Sequence, residues 1–327
     1  MKVVQVVDAR LPALAYGGTE RVVYWLGKGL VEAGHHVSFL CQAGSSAPFA
    51  ECRQLLDGPQ RWQRSLPAGT EMVHFHGGLP ADFPKEIPHV VSIHGNGKAG
   101  ELFPANSLFV SRNHAQRHGS KEFVYNGIDL AEYPTARPLE RHRLLFLAKA
   151  SWKVKNLTGA LSIARLSGRA IDVIGGRRPW WKLSGLTATH ARFHGMIGGA
   201  TKLGLLANAR ALIFPVLWDE PFGLAVIEAL ACGAFVAATP WGSLPEIVSG
   251  DCGFLSDSAA RLAEVCRKGS YDAQACRARV ESRFTHIHMT EGYLDAYRRV
   301  LSVGRLSSEL PRAPADAGPQ LMHEMTT

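Results

Sequence analysis

Short apolar runs recur along the chain, separated by helical patterns of mixed polarity. In the first half they fall at residues 3–7, 37–41, 72–75, 90–93, 108–110 and 123–125. In the second half they fall at 144–147, 171–174, 211–214 and 235–238. The runs are continuous rather than alternating, which suits parallel strands covered on both faces. Between them, Val22, Val23, Leu26, Leu30 and Val31 make an amphipathic stripe that stops at Gly34. Leu157, Leu161, Ile163 and Ala164 begin another, with Asn156 as its expected N-cap. The strand–helix alternation predicts an α/β protein built on doubly wound, Rossmann-like parallel sheets.

A chain of 327 residues exceeds one ordinary core and fits two domains. Residues 133–143, YPTARPLERHR, hold two prolines and several charges between two strand patterns, and so read as a linker. The expected division is 1–135 for one Rossmann-like domain and 140–284 for a second. Residues 285–304 then form a final helix, and 305–327, rich in Pro, Ala and polar residues, a disordered tail. Two such domains would face each other across a cleft, with ligands at the C-terminal ends of the strands.

The net charge of +8 suits an anionic small ligand, an anionic membrane surface or nucleic acid. No block of five or six like charges occurs, and no nucleic-acid motif or interleaved aromatic set accompanies the charge, so a nucleic-acid partner is not expected. Six cysteines without a C-x-x-C pair read as thiols in a reducing compartment, not as a disulfide frame or zinc site. The first apolar run meets Asp8 too early for a signal peptide, and no stretch approaches a membrane span. A cytoplasmic protein is expected, with peripheral membrane contact as one use of its basic surface.

Four segments carry candidate chemistry. Gly17-Gly18-Thr19 follows the first strand and opens the first helix, where free N–H groups and close backbone approach suit phosphate. A tight turn would use the same glycines, and the pattern is not G-x-G-x-x-G. His74, His76 and His94 stand at strand ends, and His94 precedes Gly95-Asn96-Gly97. A histidine there can donate to a sugar hydroxyl or carry a proton, or simply brace the turn; the three lack a metal-ligand spacing. Lys149 just past a strand and Lys155 just before a helix would form a diphosphate site without a metal, with Lys153 competing for the second place. The last segment is WDEPFGLAVIEALACG, residues 218–233. Pro221 suits a first helical turn, so Phe222, Gly223 and Leu224 would offer amides at a helix start. Glu228 lies eight residues beyond Glu220, about 12 Å at helical rise, which is close to the span from a transferred sugar to a ribose. A carboxylate between Ile227 and Ala229 also needs partners if buried.

With these residues in place, the chain resembles the GT-B-fold glycosyltransferases of family 4, retaining enzymes that use nucleotide sugars, over residues 3–304. The family's E-x7-E element is matched by Glu220 to Glu228 around Pro-Phe-Gly, its NG(V/I)D by Asn126-Gly127-Ile128-Asp129, and its PE-I-V loop by residues 242–248. The resemblance implies an acceptor-side first domain, a donor-binding second domain and a last helix, near Tyr293, crossing back to the first. It implies donor phosphates at Gly17, Gly18, Lys149 and Lys155, and the transferred sugar at His94, Glu220 and the Phe222–Gly223–Leu224 backbone. Ribose would meet Glu228, and the base would meet Gly175, Gly176 and residues 194–197, including Met196 and Ile197. The reaction implied is transfer of a hexose-type sugar from a UDP-, GDP- or ADP-sugar to an acceptor, with no cofactor and no obligatory metal. The chain departs from the family in having Lys149 where an arginine is usual, and its first domain is short. A GT-B epimerase or phosphorylase, or a non-catalytic nucleotide-sugar or glycan-binding protein, are the rival readings.

Overall fold

A computed structural model of the chain describes residues 1–13, 17–133, 141–176, 190–269, 271–315 and 323–326. The chain divides into two compact units. Unit 1 holds the described residues of Met1–Ala13, Gly17–Ile128 and Thr285–Gly318; unit 2 holds those of Asp129–Phe284 and Pro319–Thr327. Most of the expected linker, residues 134–140, lies outside the described residues.

Unit 1 runs β1 (Lys2–Val6), α1 (Gly18–Glu32), β2 (His36–Leu40), β3 (Glu51–Arg53), α2 (Arg61–Ser65), β4 (Met72–Phe75), β5 (His89–Ile93), β6 (Ser107–Phe109) and α3 (Arg112–Arg117). Its sheet is parallel in the order β3-β2-β1-β4-β5-β6. Val4 is registered against Ser38 on one side and Val73 on the other. The order therefore reverses between β1 and β4, and ligands of such sheets bind beyond the strand ends at that point. The apolar face of α1 buries Val22, Val23, Leu26 and Leu30. The expected strand at 123–125 is not formed: Phe123 makes a single bridge to Phe109, because only two backbone bonds link this segment to β6.

Unit 2 runs β7 (Leu144–Leu147), α4 (Leu157–Ser167), β8 (Ile171–Ile174), β9 (Ala191–Gly195), α5 (Gly199–Asn208), β10 (Ala211–Phe214), α6 (Leu224–Ala231), β11 (Phe235–Ala238), α7 (Leu244–Ile247), β12 (Gly253–Leu255), α8 (Ala259–Lys268) and α9 (Ala273–Glu281). Its parallel sheet has the order β12-β11-β10-β7-β8-β9, so the switch falls between β7 and β10. β7, β8, β10 and β11 are buried at every position, as the unbroken apolar runs of β7, β10 and β11 require, and β8 also buries Asp172 against Arg143. Asn156 caps α4 through its side chain, which accepts from the Gly159 amide at 2.9 Å.

The chain returns to unit 1 with α10 (His286–Val303), capped by the Thr285 hydroxyl. Glycines let this helix lie close: a Cβ on Gly29 would stand 2.2 Å from the Thr290 hydroxyl, and one on Gly292 would stand 2.9 Å from a Val124 methyl. Its own Tyr293 and Tyr297 are fully buried. The segment expected to be a disordered tail is ordered in both described parts. Phe103 N donates to Pro311 O and Ala313 N to Glu101 O, each at 2.8 Å, so residues 305–315 run as a strap along unit 1 and bury Ala313. Thr326 exchanges backbone bonds with Asp257 and Ala259 in unit 2. Its Pro-rich composition removes donors but leaves carbonyls, and here those carbonyls accept bonds from neighbouring backbone. No described helix is long and apolar enough to cross a membrane.

Candidate active site

The switch point of unit 2 gathers its charged residues. The loop after β10 carries Trp218 and Glu220, and the turn between β7 and α4 carries Lys149, Trp152 and Lys155. Leu217 N donates to Val154 O at 2.8 Å, which ties the two loops together. Lys155 Nζ then lies 2.6 Å from Glu220 Oε2, and Trp218 Nε1 donates to the same oxygen at 2.6 Å. The ammonium also sits over the Trp218 ring, 4.7 Å from its centroid. Both members of the pair are nearly buried, with side chains 11% and 8% exposed. Among the described residues nothing bonds Glu220 Oε1, so one carboxylate oxygen is left for a ligand.

The turn that holds Glu220 is built by glycines. Gly223 adopts φ +92° and caps α6 without a side-chain bond. Gly242 has φ +65°, and a Cβ there would stand 2.3 Å from Glu220 N and 2.4 Å from Glu220 O. That closeness lets Ser243 N donate to Glu220 O and the Ser243 hydroxyl donate to Phe222 O. The loop at 242–243 thus clamps the 220–223 turn. The structure corrects one detail: α6 begins at Leu224, so Pro221 precedes the helix rather than opening it. Phe222 is buried, and Leu224 is the half-open residue at the helix start.

Lys149 lies over the Trp152 ring at 5.1 Å. Its backbone neighbours Gly175, whose φ of +129° brings it so near Ala148 O that a Cβ would stand 1.7 Å away. Gly176 faces Met196, whose sulfur would be 3.5 Å from a Cβ there. Met196 is exposed and Ile197 half-buried. The structure therefore brings Gly175, Gly176 and Met196 together beside Lys149, at the ends of β7, β8 and β9. Lys153 is exposed.

Glu228 is 2% exposed. Its Oε1 accepts from Lys202 Nζ at 2.7 Å and from the Tyr133 hydroxyl at 2.6 Å. The partners that its burial requires are protein groups, so burial by itself gives no argument for a ribose. Lys202 and Tyr133 went unnoticed in the sequence because they lie 26 and 95 residues away. His323, also unnoticed, stacks on Trp241 at 4.0 Å and bonds Asp219 at 3.2 Å, beside the Glu220 turn.

Unit 1 carries a neutral counterpart. His94 and His76 stack, with His94 Nε2 3.2 Å from His76 Nδ1, and His76 Nε2 bonds Gln5 Oε1. His74 joins the Tyr297 and Ser92 hydroxyls at 2.7 Å each, and Ser92 meets the Tyr293 hydroxyl at 2.6 Å. The bonds assign the tautomers. Gln5 Oε1 only accepts, so His76 Nε2 carries the proton; His76 Nδ1 then accepts from His94 Nε2, leaving His94 Nδ1 as an acceptor. Burial pushes His94 down to about 4, and burial with the neighbouring imidazoles holds His74 and His76 well below the usual range. Of this network, His74, His76 and His94 were legible in the sequence and Gln5 was not, although a polar residue stands out inside the apolar run of β1.

Gly17 and Gly18 open α1 near this network's strands, and Gly17 has φ +157°. The Glu20 carboxylate lies 2.8 Å from where a Gly17 Cβ would be, so this helix start already has an acid beside it. A phosphate there would meet that carboxylate.

The solved structure of AviGT4, a glycosyltransferase involved in avilamycin A biosynthesis, superposes with a TM-score of 0.79 at 26% identity, covering 92% of this chain and 98% of that one. Anabaena HepE in complex with UDP-glucose has the same fold, with a TM-score of 0.63 at 15% identity over 93% of this chain and 100% of that one. The phosphatidyl-myo-inositol mannosyltransferase of Mycolicibacterium smegmatis is 32% identical over 145 residues, 40% of this chain and 38% of that protein. The match thus spans under half the length of that curated relative. Two six-stranded parallel sheets of this order are the GT-B fold of these glycosyltransferases. Residues 141–269 match the family described as Glycosyl transferases group 1.

Proposed function

We propose that the protein moves a hexose-type sugar from a nucleoside-diphosphate sugar to an acceptor alcohol, with retention of anomeric configuration. The observation that carries this is the Lys155–Glu220–Trp218 arrangement at the unit 2 switch point, with Glu220 Oε1 left over. In this reading Oε1 accepts from a hydroxyl of the sugar. Lys149, Lys155 and the first amides of α6, from Leu224, face the diphosphate and stabilise charge as it leaves. Phe222 and Gly223 shape the turn around the sugar. Gly175, Gly176, Met196 and Ile197 take the base, since exposed Met196 and bare glycine backbone offer a flat contact. Glu228 takes the ribose if Lys202 or Tyr133 yields an oxygen. In unit 1, His94 accepts from an acceptor hydroxyl through Nδ1, while the Glu20 carboxylate beside Gly17 speaks against a phosphate at Gly17 and Gly18. The cations supply the charge that phosphate departure needs, so the proposed reaction has no obligatory metal. The UDP-glucose bound to HepE supports the donor class.

The test is release of nucleoside diphosphate from UDP-, GDP- and ADP-hexoses, with the anomeric configuration of product read by NMR. Glu220→Gln keeps the Trp218 bond and loses the charge; transfer should fall roughly a hundredfold or more. Near-normal turnover in Glu220→Gln, or donor binding without any turnover in the parent protein, would overturn the assignment.

A further inference from the structure

Unit 1 contains a cavity of about 680 Å³ lined by loops that follow β4 and β5. That volume is ordinary for a small-molecule site, about 300–1,000 Å³. His94 and His76 line it, so it adjoins the neutral network described above. Much of the remaining wall is apolar: Leu79, Phe83, Ile93, Leu102, Phe103 and Leu310. Leu102 and Leu310 are 51% and 56% exposed, two large aliphatic side chains held open to water in one wall. Leu310 comes from the C-terminal strap, which is fixed beside Leu102 by the Leu102–Arg312 bridge and the Phe103–Pro311 bond.

The polar lining is sparse and partly committed. Ser92 is bonded to His74 and Tyr293, and His76 to Gln5 and His94. Glu101 receives the Lys98 amide at 2.7 Å. Thr19, Lys85 and His94 remain as side chains toward a guest. A free oligosaccharide carries a hydroxyl on most carbons, and each one buried without a partner loses its bonds to water with nothing in return. An apolar body loses nothing against leucine and phenylalanine and removes their area from water.

We infer that the acceptor is an alcohol on an apolar skeleton, its hydroxyl at His94 and its body against Phe103, Leu102 and Leu310, and that the strap residue Leu310 helps select it. This rests on the donor-transfer reading above. The strap makes acceptor choice depend on residues far along the chain from the cavity's other walls.

The probes are 1-decanol and 2-naphthol as apolar acceptors and maltotriose as the saccharide, each with the preferred nucleotide sugar. Nucleoside-diphosphate binding is read separately by thermal shift. The parent protein should give a higher kcat/KM with an apolar probe than with maltotriose. Leu310→Asp should raise the KM for that probe roughly tenfold or more with kcat held within about twofold, and Leu310→Met should restore it. Because Leu310 is exposed, Leu310→Asp is expected to fold. Preference for maltotriose, transfer to neither apolar probe while nucleotide binds, or an unmoved KM in Leu310→Asp overturns the inference. Loss of nucleotide binding in the parent protein would instead strike the donor reading.

Discussion

The two sheets share one strand order, yet their switch points are furnished in opposite ways. In unit 2 the buried polar groups are ions in pairs, Lys155 with Glu220 and Lys202 with Glu228. In unit 1 they are neutral and chained: His94, His76, Gln5, His74, Ser92 and two tyrosines. A diphosphate demands fixed positive charge, whereas an alcohol demands only a well-aimed acceptor atom. The difference teaches that one fold can be specialised by the charge state of the groups it buries, with no change in topology.

The comparison breaks most sharply at Lys155. Lys155→Ala strands the Glu220 carboxylate, 8% exposed, with only Trp218 as partner. Breaking a buried pair from one side costs about 3 kcal/mol or more, and transfer should fall roughly a hundredfold. The double variant Lys155→Met with Glu220→Gln removes both charges; it should recover most of the stability in urea titration and none of the activity. If the double variant were as unstable as the single one, the pair would not be what organises this corner.

The same contrast explains what could be read from sequence. The fully buried strands β7, β10 and β11 were legible because burial on both faces forces an unbroken apolar run, and β4 and β8 because a single partnered polar residue, His74 or Asp172, leaves three apolar ones. The strands β3, β9 and β12, with sequences ECR, ARFHG and GFL, were missed. Each is an edge strand, paired on one side; polar residues dilute the pattern in β3 and β9, and β12 is only three residues long and begins with glycine. At the site, Glu220 and the glycine turn were legible because the backbone constraint and the carboxylate sit within one short segment. Lys202, Tyr133, Gln5 and Leu310 were not, because each meets its partners only through the folded chain. The 305–315 strap misled for a related reason: its stability comes from bonds to residues 101–118, which its own composition does not announce.

A medium effect should come from acid. His74, His76 and His94 all lie below the ordinary value of 6.5, His94 at about 4. His114 and His118, in the same unit, are also lowered, first by burial. Each lowered histidine means that the unfolded chain binds more protons than the folded one once pH drops below 6.5. Their contribution is complete above that pH and drains away as pH falls toward 4. In unit 2, burial alone would raise Asp172, but bonds from Arg143 and His194 outweigh it and lower the carboxyl. Its contribution is lost only at pH below the ordinary 3.8. Hydrogen exchange at pH 7 and pH 5, corrected for intrinsic rates, should therefore show protection lost in β4, β5 and α10 before β7, β10 and α6. Equal loss in both units would remove the charge-state distinction as a property of their stability.

The smallest change tests how finely the ionic corner is tuned. The resemblance to family 4 glycosyltransferases implies an arginine where Lys149 stands, and the Lys149 ammonium lies over Trp152 at 5.1 Å. A lysine offers a point charge, whereas a guanidinium can hold two phosphate oxygens and stack on the same ring. Lys149→Arg should therefore lower the donor KM by about two- to fivefold, with kcat changed less, since geometry is gained and charge is conserved. Lys149→Gln, which keeps length and loses charge, should move KM the other way by a larger factor. A flat response to both would mean that Lys149 does not face the diphosphate, leaving Lys155 as the lysine proposed here that does. A drop in kcat for Lys149→Arg with KM fixed would mean instead that the compact ammonium acts chiefly when the phosphate leaves and contributes little to donor binding.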